Sequence, residues 1–268
     1  MLRCLSIKKL LPVLFFCAAS GHCAEVTVTP IRPSGASLDP SLRNEADHAV
    51  SQAAFWLSAR QQPDGAWGES NRVRLTAMAL FALKASRHPA CSGPCANAAL
   101  WLDGTATNRI DNLETHAWRL LALAFVLPEA PSRTNLLRRL ADRAGASEAG
   151  ASDEARLFWS DVLPAAGLGG PSLPQPSALS NRLAHAAASW PPAPKGNADV
   201  WRLARLINRA GHGQLVRGNA PLDWRADLAR CLINTQRKAP AGGGFWNAES
   251  PDGQIEETVF GMLALLEL

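Results

Sequence analysis

Apolar residues recur along this chain with a helical period, and the apolar stretches come in pairs separated by Gly, Pro and Asn. Apolar positions three and four residues apart, repeated over ten or more residues, predict amphipathic helices. We therefore predict helical hairpins, each with a first and a second helix. The first helices fall at about 44–60, 95–103, 132–144, 177–189 and 222–236, and the second helices at about 72–87, 112–127, 153–166, 197–210 and 254–268.

A sequence repeat underlies these pairs of helices. Met78, Trp118, Trp159 and Trp201 are separated by 40, 41 and 42 residues, and Phe260 follows after a longer step. Each of these residues lies in a predicted second helix. A period near 41 residues with two helices per unit is typical of stacked helical hairpins. We therefore expect these five residues to occupy equivalent positions.

The predicted second helices are more apolar than the first helices. Residues 120–127 are apolar on nearly all sides, whereas residues 225–230 alternate between charged and apolar side chains. A helix that is apolar all round must be covered on most sides. An inner ring of second helices inside an outer ring of first helices provides that cover. The sequence thus predicts an all-α fold, an α/α toroid of about five helix hairpins in a single domain over residues 44–268, rather than an open solenoid.

The N-terminal residues predict export. Residues 1–24 combine early basic residues, a short apolar run and small residues, as a signal peptide does. The apolar run is too short for a membrane span, which needs ~20 apolar residues. Residues 25–43 are rich in Pro, Ser and Thr and predict an extended segment. We expect a periplasmic or secreted protein with no membrane span after signal cleavage.

The charge balance gives no sign of a strongly charged partner. The chain has 27 basic and 23 acidic residues, a formal net charge of +4. The predicted signal peptide contains three of the basic residues and no acidic residue, so cleavage leaves a net charge of about +1. Without a basic face or a polybasic run, the sequence predicts no nucleic-acid partner and no electrostatic binding to anionic lipid.

Two segments share a motif of glutamine, glycine and tryptophan. In the first repeat, residues 56–67 contain Gln61, Gly65 and Trp67 after an aromatic-aliphatic pair. In the last repeat, a longer spacer separates Gln236 from Gly244 and Trp246. Residues 243–246 read Gly-Gly-Phe-Trp. The motif resembles the QW repeat of squalene and hopene cyclases, and the Gly-Gly-Phe resembles that of protein prenyltransferase β subunits. The resemblance implies the α/α toroid of those families.

The motif residues have a structural interpretation. A glutamine side chain can bond the backbone groups left open at a helix end. Glycine permits a turn conformation that other residues adopt at a cost, and a tryptophan ring can cover the neighbouring hairpin. We therefore expect structural roles for six residues: Gln61, Gly65, Trp67, Gln236, Gly244 and Trp246.

The catalytic motifs of the similar families are missing from the sequence. Class II terpene cyclases carry an Asp-x-Asp-Asp acid, and this chain has no such run. Protein prenyltransferases hold zinc with Asp, Cys and His, whereas the last helix here offers Glu256, Glu257 and Thr258. The sequence therefore predicts no metal and no cofactor. Whether the protein is an enzyme stays open, and fold likeness alone does not decide it.

Polar residues at the start of the second helices are the candidates for a site. Alignment on the aromatic position makes Thr76, His116, Leu157, Asp199 and Thr258 equivalent, and two positions upstream lie Arg74, Glu114, Ala155, Asn197 and Glu256. Parallel inner helices would gather these residues at one rim, where the helix dipoles attract negative groups. The catalytic candidates are His116, Asp199, Glu114 and Glu256, and the ligand-binding candidates are Arg74, Glu257 and Trp118. The structural alternative is that the acids cap helices and His116 is a satisfied core residue.

Three cysteines follow the predicted signal peptide. Cys91 and Cys95 flank a Ser-Gly-Pro turn at a spacing within disulfide reach, and export favours a disulfide between them. Cys231 lies in a predicted helix, which favours a buried free thiol.

Three functions are compatible with these patterns. The preferred one is an exported binding or interaction protein that engages an apolar or isoprenoid-like ligand, or a peptide, in a central funnel. The second is an enzyme of unfamiliar type, a hydrolase, lyase or isomerase, acting at the funnel rim. The third is a structural partner in an envelope complex. The sequence leaves open whether the funnel is open or packed shut.

Overall fold

The computed structural model describes residues 38–105, 112–127, 131–145, 150–168, 196–209, 215–217 and 220–268. These residues are mostly helical, which confirms the all-α prediction. The predicted signal peptide, most of the predicted extended segment and the predicted helix at 177–189 lie outside the described residues. The α-helices are α1 Pro40–Ala59, α2 Arg72–Ser86, α3 Ser92–Gly104, α4 Leu113–Val126, α5 Pro131–Gly145, α6 Asp153–Ala165, α7 Asn197–Arg209, α8 Trp224–Thr235 and α9 Pro251–Glu267.

Short strands and one 3-10 turn complete the described structure. Strand β1, Leu215–Arg217, pairs antiparallel with β2, Ala220–Leu222. Strand β3, Arg237–Lys238, pairs antiparallel with β4, Gly244–Phe245. The 3-10 turn, Pro89–Cys91, leads directly into α3.

Helix α1 begins earlier than the sequence predicts. Its first residue is Pro40, inside the segment 25–43 that the sequence predicts to be extended. Asp39 accepts a hydrogen bond from the backbone N–H of Ser41, and a proline in the first turn has a backbone conformation suited to a helix start. Leu42 is already buried against the core. The prediction of an extended segment was wrong here because it followed the Pro- and Ser-rich composition, which does not exclude a helix start.

Five helices, α2, α4, α6, α7 and α9, correspond to the predicted second helices, and we call them the inner helices. Helix α4 contacts α6 and α2, α2 also contacts α9, and α9 contacts α7. Near the start of α2, Arg74 contacts Glu114 of α4 and Glu256 of α9. Near the start of α7, Asn197 bonds Glu257 of α9. Helices α2, α4, α7 and α9 are therefore parallel. Their N-termini lie at one end, which we call the N-terminal rim.

Side chains also join α6 to α7. Arg205 of α7 lies 3.6 Å from Asp161 of α6, nitrogen to oxygen. The rings of Trp201 and Phe158, on the same two helices, have centroids 6.0 Å apart. Both contacts join residues at similar depths in their helices, so α6 runs in the same direction as α7.

The remaining helices pack against the inner helices. Helix α1 contacts α2, α8 and α9, helix α3 contacts α2 and α4, and helix α5 contacts α4. Burial follows this division, because α4 is buried almost throughout between Leu113 and Ala124 whereas α3 buries only three of its side chains. The inner helices therefore supply most of the core, as their apolar sequences predict.

Candidate functional site

Aromatic rings from several inner helices meet in the core. The ring of Trp118 has its centroid 4.7 Å from that of Phe158, 5.4 Å from Trp201 and 6.0 Å from Phe260. The rings of Trp201 and Phe260 are 5.4 Å apart. Centroid distances of this size are typical of favourable aromatic pairs. We call these rings, together with Phe81 and Phe125 described below, the aromatic cluster.

The ring contacts of the cluster differ from the predicted series at one place, in α6. Phe158, and not Trp159, meets Trp118 and Trp201. Adjacent residues on a helix point about 100° apart, so Trp159, which is also buried, lies on a different part of the surface of α6. In α2 the residue in ring contact with Trp118 is Phe81, at 6.2 Å, one turn beyond Met78.

The aromatic cluster extends from the buried core to solvent. Trp118 and Phe260 are each 1% exposed, whereas Phe81 and Phe158 are half-buried. The ring of Phe125, near the end of α4, lies 5.4 Å from Phe81 and is 50% exposed. Phe81 and Phe125 both lie in the C-terminal halves of their helices. The exposed part of the cluster therefore points away from the N-terminal rim.

A cation lies over the cluster. The guanidinium of Arg205 is 5.1 Å from the ring centroid of Trp201 and 5.8 Å from that of Phe158. A guanidinium over an aromatic face is attracted by the negative face of the ring. Arg205 is also the ion-pair partner of Asp161, so one cation holds both α6 and the aromatic rings in place.

At the N-terminal rim, Arg74 holds two carboxylates. Its Nη1 donates to Glu256 Oε2 at 2.9 Å, and its Nη2 donates to Glu256 Oε1 at 2.5 Å and to Glu114 Oε1 at 3.2 Å. Burial alone would lower the pKa of Arg74, but these carboxylates outweigh burial and raise it. The two-pronged bond to Glu256 is the strong form of an arginine–carboxylate pair. The sequence placed these three residues at one rim, and the structure brings them into contact.

Glu257 caps the start of α7. Its Oε2 accepts a hydrogen bond from the backbone N–H of Asn197 at 2.7 Å, and its backbone carbonyl accepts from the Asn197 side chain at 2.9 Å. Burial raises the pKa of Glu257, the Asn197 N–H opposes that rise, and the negative charges of Glu256 and Asp199 add to it. A carboxylate at a helix N-terminus is a favourable cap, so Glu257 has a structural partner.

Asp199 does not lie where the sequence predicts. The alignment predicted an inward acid able to join His116, but the Asp199 side chain is 50% exposed and lies 3.6 Å from Arg202 on the next turn of α7. His116 is buried, with 5% of its surface exposed. Asp199 is therefore not a buried partner of His116. The two residues share a repeat position, but the prediction that Asp199 is buried was wrong. Burial depends on the neighbouring helices and not on the repeat alone.

The cysteines of the described chain are free thiols, so the predicted Cys91–Cys95 disulfide is absent from the structure. Cys91 lies at the end of the 3-10 turn, with its sulfur 3.6 Å from the hydroxyl oxygen of Ser58. Burial and the nearby Cys91 raise the pKa of Cys95 to about 11. A thiol with a raised pKa is a poor nucleophile at neutral pH. Cys231 is partly exposed, not fully buried as predicted.

The first glutamine-tryptophan motif ties three segments together. Gln61 Nε2 donates to the carbonyl of Gly65 at 2.9 Å and to that of Pro94, at the start of α3, at 2.8 Å. Trp67 is fully buried, and its indole N–H donates to the carbonyl of Leu57 in the last turn of α1 at 2.8 Å. These contacts are of the structural kind that the sequence predicts.

The last motif repeats this geometry. Gln236 Nε2 donates to the carbonyl of Ala49 in α1 at 2.8 Å, and the Trp246 indole donates to the carbonyl of Leu232 in α8 at 3.0 Å. The backbone N–H of Trp246 donates to the hydroxyl of Thr258 at 3.2 Å. We call each such set of bonds a staple, since it joins the end of a first helix to its neighbours.

Both motif glycines stand where a side chain would clash. Gly65 has φ +93°, and an added Cβ would lie 2.8 Å from the carbonyl oxygen of Asn97. An added Cβ at Gly244 would lie 2.6 Å from the side-chain carbon of Gln236. The left-handed conformation at Gly65 is costly for other residues, whereas a side chain at position 244 would displace the side-chain amide of Gln236.

Sequence reasoning missed Phe81, Phe125, Phe158 and Arg205. Phe125 lies seven residues after Trp118, and Phe81 lies three residues after Met78. Both spacings place two residues on the same face of a helix. A search of that face for further aromatic residues would have found them.

The described residues contain no helix long and apolar enough to span a membrane. Among the same residues, no group of three or more His, Cys, Asp or Glu side chains is placed to hold a metal ion. A scan against protein-family models, a search of curated proteins and a search of solved structures each returned no match to this chain.

Proposed function

We propose that this chain is an exported α/α-toroid protein that binds an apolar ligand among its inner helices. The toroid, with five hairpins, is supported by the order of contacts from α6 through α4, α2 and α9 to α7, and by the Arg205–Asp161 pair between the two ends of that series. The parallel direction of the inner helices supports it as well. Export rests on the sequence of residues 1–24.

The observation that carries the binding proposal is the reach of the aromatic cluster from the core to solvent. A contiguous apolar surface that reaches solvent marks a binding site more often than isolated exposed residues do. Phe125 is 50% exposed although the rest of α4 is largely buried. The half-buried ring of Phe81 lies between it and Trp118, and the half-buried ring of Phe158 contacts Trp118.

Access to the cluster is expected from the end opposite the N-terminal rim. At the rim, Arg74 ties α2 to α4 and α9, and Glu257 ties α9 to α7. These ion pairs and caps line the rim with polar groups. An apolar ligand would therefore enter past Phe125.

An enzyme acting at the rim and a structural partner in an envelope complex are the alternatives. The rim carboxylates Glu114 and Glu256 are both held by Arg74, and Asp199 pairs with Arg202. An arginine bonded to a carboxylate occupies oxygen atoms that would otherwise face a substrate. These pairs favour the binding function over the enzymatic one, and no specific contact favours the structural partner.

The test uses the neutral apolar fluorophore N-phenyl-1-naphthylamine. We expect it to bind the protein, and we expect Phe125→Ser to weaken binding by about five-fold, since covering the exposed half of the ring contributes about half of the ~1.5–3 kcal/mol of a fully buried phenyl ring. Leu100→Ser is the matched control, because Leu100 is 74% exposed on α3, away from the cluster. Equal effects of the two substitutions, or no binding by the unaltered protein, would contradict the proposal.

A second measurement addresses the natural ligand. Mass spectrometry of small molecules that co-purify with the protein from its native envelope should detect an apolar compound. The Phe125→Ser protein should retain less of that compound than the Leu100→Ser protein.

A further inference from the structure

The indole N–H of Trp118 is buried without a hydrogen-bond acceptor. Trp118 is 1% exposed, and its Nε1 has no partner within hydrogen-bond distance. The staple tryptophans Trp67 and Trp246 are equally buried, and both donate to backbone carbonyls. Buried indole N–H groups usually find an acceptor, and one that lacks it in a folded protein calls for an explanation.

The surroundings of Trp118 explain why no acceptor is present. Its ring neighbours are Phe81, Phe158, Trp201 and Phe260, at centroid distances from 4.7 to 6.2 Å. Aromatic rings contain no carbonyl oxygen, and an aromatic face is a much weaker acceptor than such an oxygen. The donor thus lies in an apolar setting, where a hydrogen bond to an oxygen atom is strongest.

Two other buried indoles, those of Trp56 and Trp224, also lack an acceptor, but their settings differ. Trp56 lies on α1 with the guanidinium of Arg60 over its ring at 4.9 Å, and Trp224 lies on α8 with that of Arg225 at 4.2 Å. Neither ring belongs to the aromatic cluster. They serve as controls for any effect of removing an indole N–H.

We propose that the ligand of the aromatic cluster carries an oxygen acceptor within its apolar body, and that this oxygen accepts a hydrogen bond from Trp118 Nε1. The proposal rests on the proposed apolar binding function and adds the chemical class: an apolar ketone, ester or ether and not a pure hydrocarbon. Nε1 has no accessible surface in this structure, so the proposal requires a neighbouring ring to move on binding, and Phe81 and Phe158 are the half-buried neighbours.

The test uses two probes of nearly the same shape, 2-acetylnaphthalene and 2-ethylnaphthalene, which differ by one carbonyl oxygen. Their binding to the full chain is measured by tryptophan fluorescence for the unaltered protein and for Trp118→Phe, which keeps an aromatic ring and removes the N–H. We expect Trp118→Phe to weaken the ketone by about five-fold more than the hydrocarbon, as the loss of one neutral hydrogen bond would. Trp224→Phe should affect both probes equally.

The outcomes separate this inference from the function on which it rests. If Trp118→Phe changes both probes by the same factor, the acceptor inference is overturned while apolar binding stands. If neither probe binds the unaltered protein, the binding function fails, and the inference fails with it.

A second readout needs no variant of Trp118. In the unaltered protein labelled with nitrogen-15 on tryptophan, the ketone should move one indole N–H resonance downfield and the hydrocarbon should not. Identical spectra with the two probes would overturn the inference even if Trp118→Phe does not fold.

Discussion

The first and last repeats make the same staple with spacers of different length. Trp67 lies six positions after Gln61, and Trp246 lies ten positions after Gln236. In both repeats the indole N–H donates to a leucine carbonyl in the last turn of the first helix, and the tryptophan backbone N–H donates to a threonine of the second helix. The helix ends therefore fix the tryptophan, and the spacer is free to vary.

The extra residues of the last spacer make contacts that the first spacer lacks. They form the β3–β4 pair and place Phe245 on Trp56 of α1, with ring centroids 5.3 Å apart and planes 12° from parallel. The first staple instead has a second bond from its glutamine, to Gly65. The longer spacer thus adds a ring contact between the last repeat and the first, whereas the first staple reaches α3 through the Gln61–Pro94 bond.

The largest expected effect is loss of either staple tryptophan. Trp67→Ala and Trp246→Ala should each lower the free energy of unfolding by about 3–5 kcal/mol, since both rings are buried and a cavity would remain. Urea denaturation measures the change. Trp101→Ala, at a half-buried ring on α3, should cost less. An unchanged midpoint for Trp67→Ala would mean that the ring is exposed in solution and available to a ligand.

Loss of the threonine acceptors comes next. Thr76→Val and Thr258→Val keep the side-chain shape but leave the N–H of Trp67 or Trp246 buried without an acceptor. Each should cost about 1–3 kcal/mol in urea denaturation, the range for an unsatisfied buried donor. Serine at either position keeps the hydroxyl and should cost less than valine. The reverse order would show that the methyl group matters more than the bond.

The glutamines should differ between the two repeats. Gln61→Leu removes two hydrogen bonds and Gln236→Leu removes one. We therefore expect Gln61→Leu to be more destabilising, by about 0.5–1.5 kcal/mol, the net contribution of one hydrogen bond. Thermal unfolding of the two variants side by side would check the difference. Equal losses would mean that the second bond of Gln61 contributes nothing.

The smallest expected effect concerns pH. Asp252 of α9 accepts hydrogen bonds from the backbone N–H groups of Glu69 and Ser70 at 2.8 and 2.9 Å. Burial raises the pKa of Asp252, but these bonds outweigh burial and lower it below the ordinary 3.8. An acid with a lowered pKa stabilises the fold above that ordinary value, and the stabilisation is lost as pH falls through the lowered pKa. Asp252→Asn should thus be less stable than the unaltered protein at about pH 6 and nearly equal to it at about pH 2.

The sequence predicts the helices well because their apolar periodicity is a local property. The predicted helix at 197–210 and the observed Asn197–Arg209 differ by one residue. The rim contact of Arg74 with Glu114 and Glu256 was also foreseeable, because the repeat aligns their positions. Both successes depend on spacing alone.

The sequence failed where the tertiary environment decides. Trp159 and Phe158 are adjacent aromatic residues, and spacing alone could not tell which would face Trp118. Asp199 shares a repeat position with the fully buried Thr76 and Thr258 but is half exposed. The predicted disulfide depended on redox conditions and on the local turn, neither of which the spacing of Cys91 and Cys95 specifies. The ring contact of Phe158, the exposure of Asp199 and the state of the cysteines each depend on which elements pack beside the residue. The spacing of residues in the sequence does not give that information.

The ion pair between Arg74 and Glu256 joins residues 182 positions apart in the chain. In an open array of repeats, each unit contacts only its neighbours, so folding can start anywhere and spread. Here the last helix must reach the first hairpin before either is complete, and contacts between distant residues slow folding. We therefore expect refolding to be slow and to follow a single all-or-none transition, and we expect deletion of one hairpin to prevent folding instead of shortening the array.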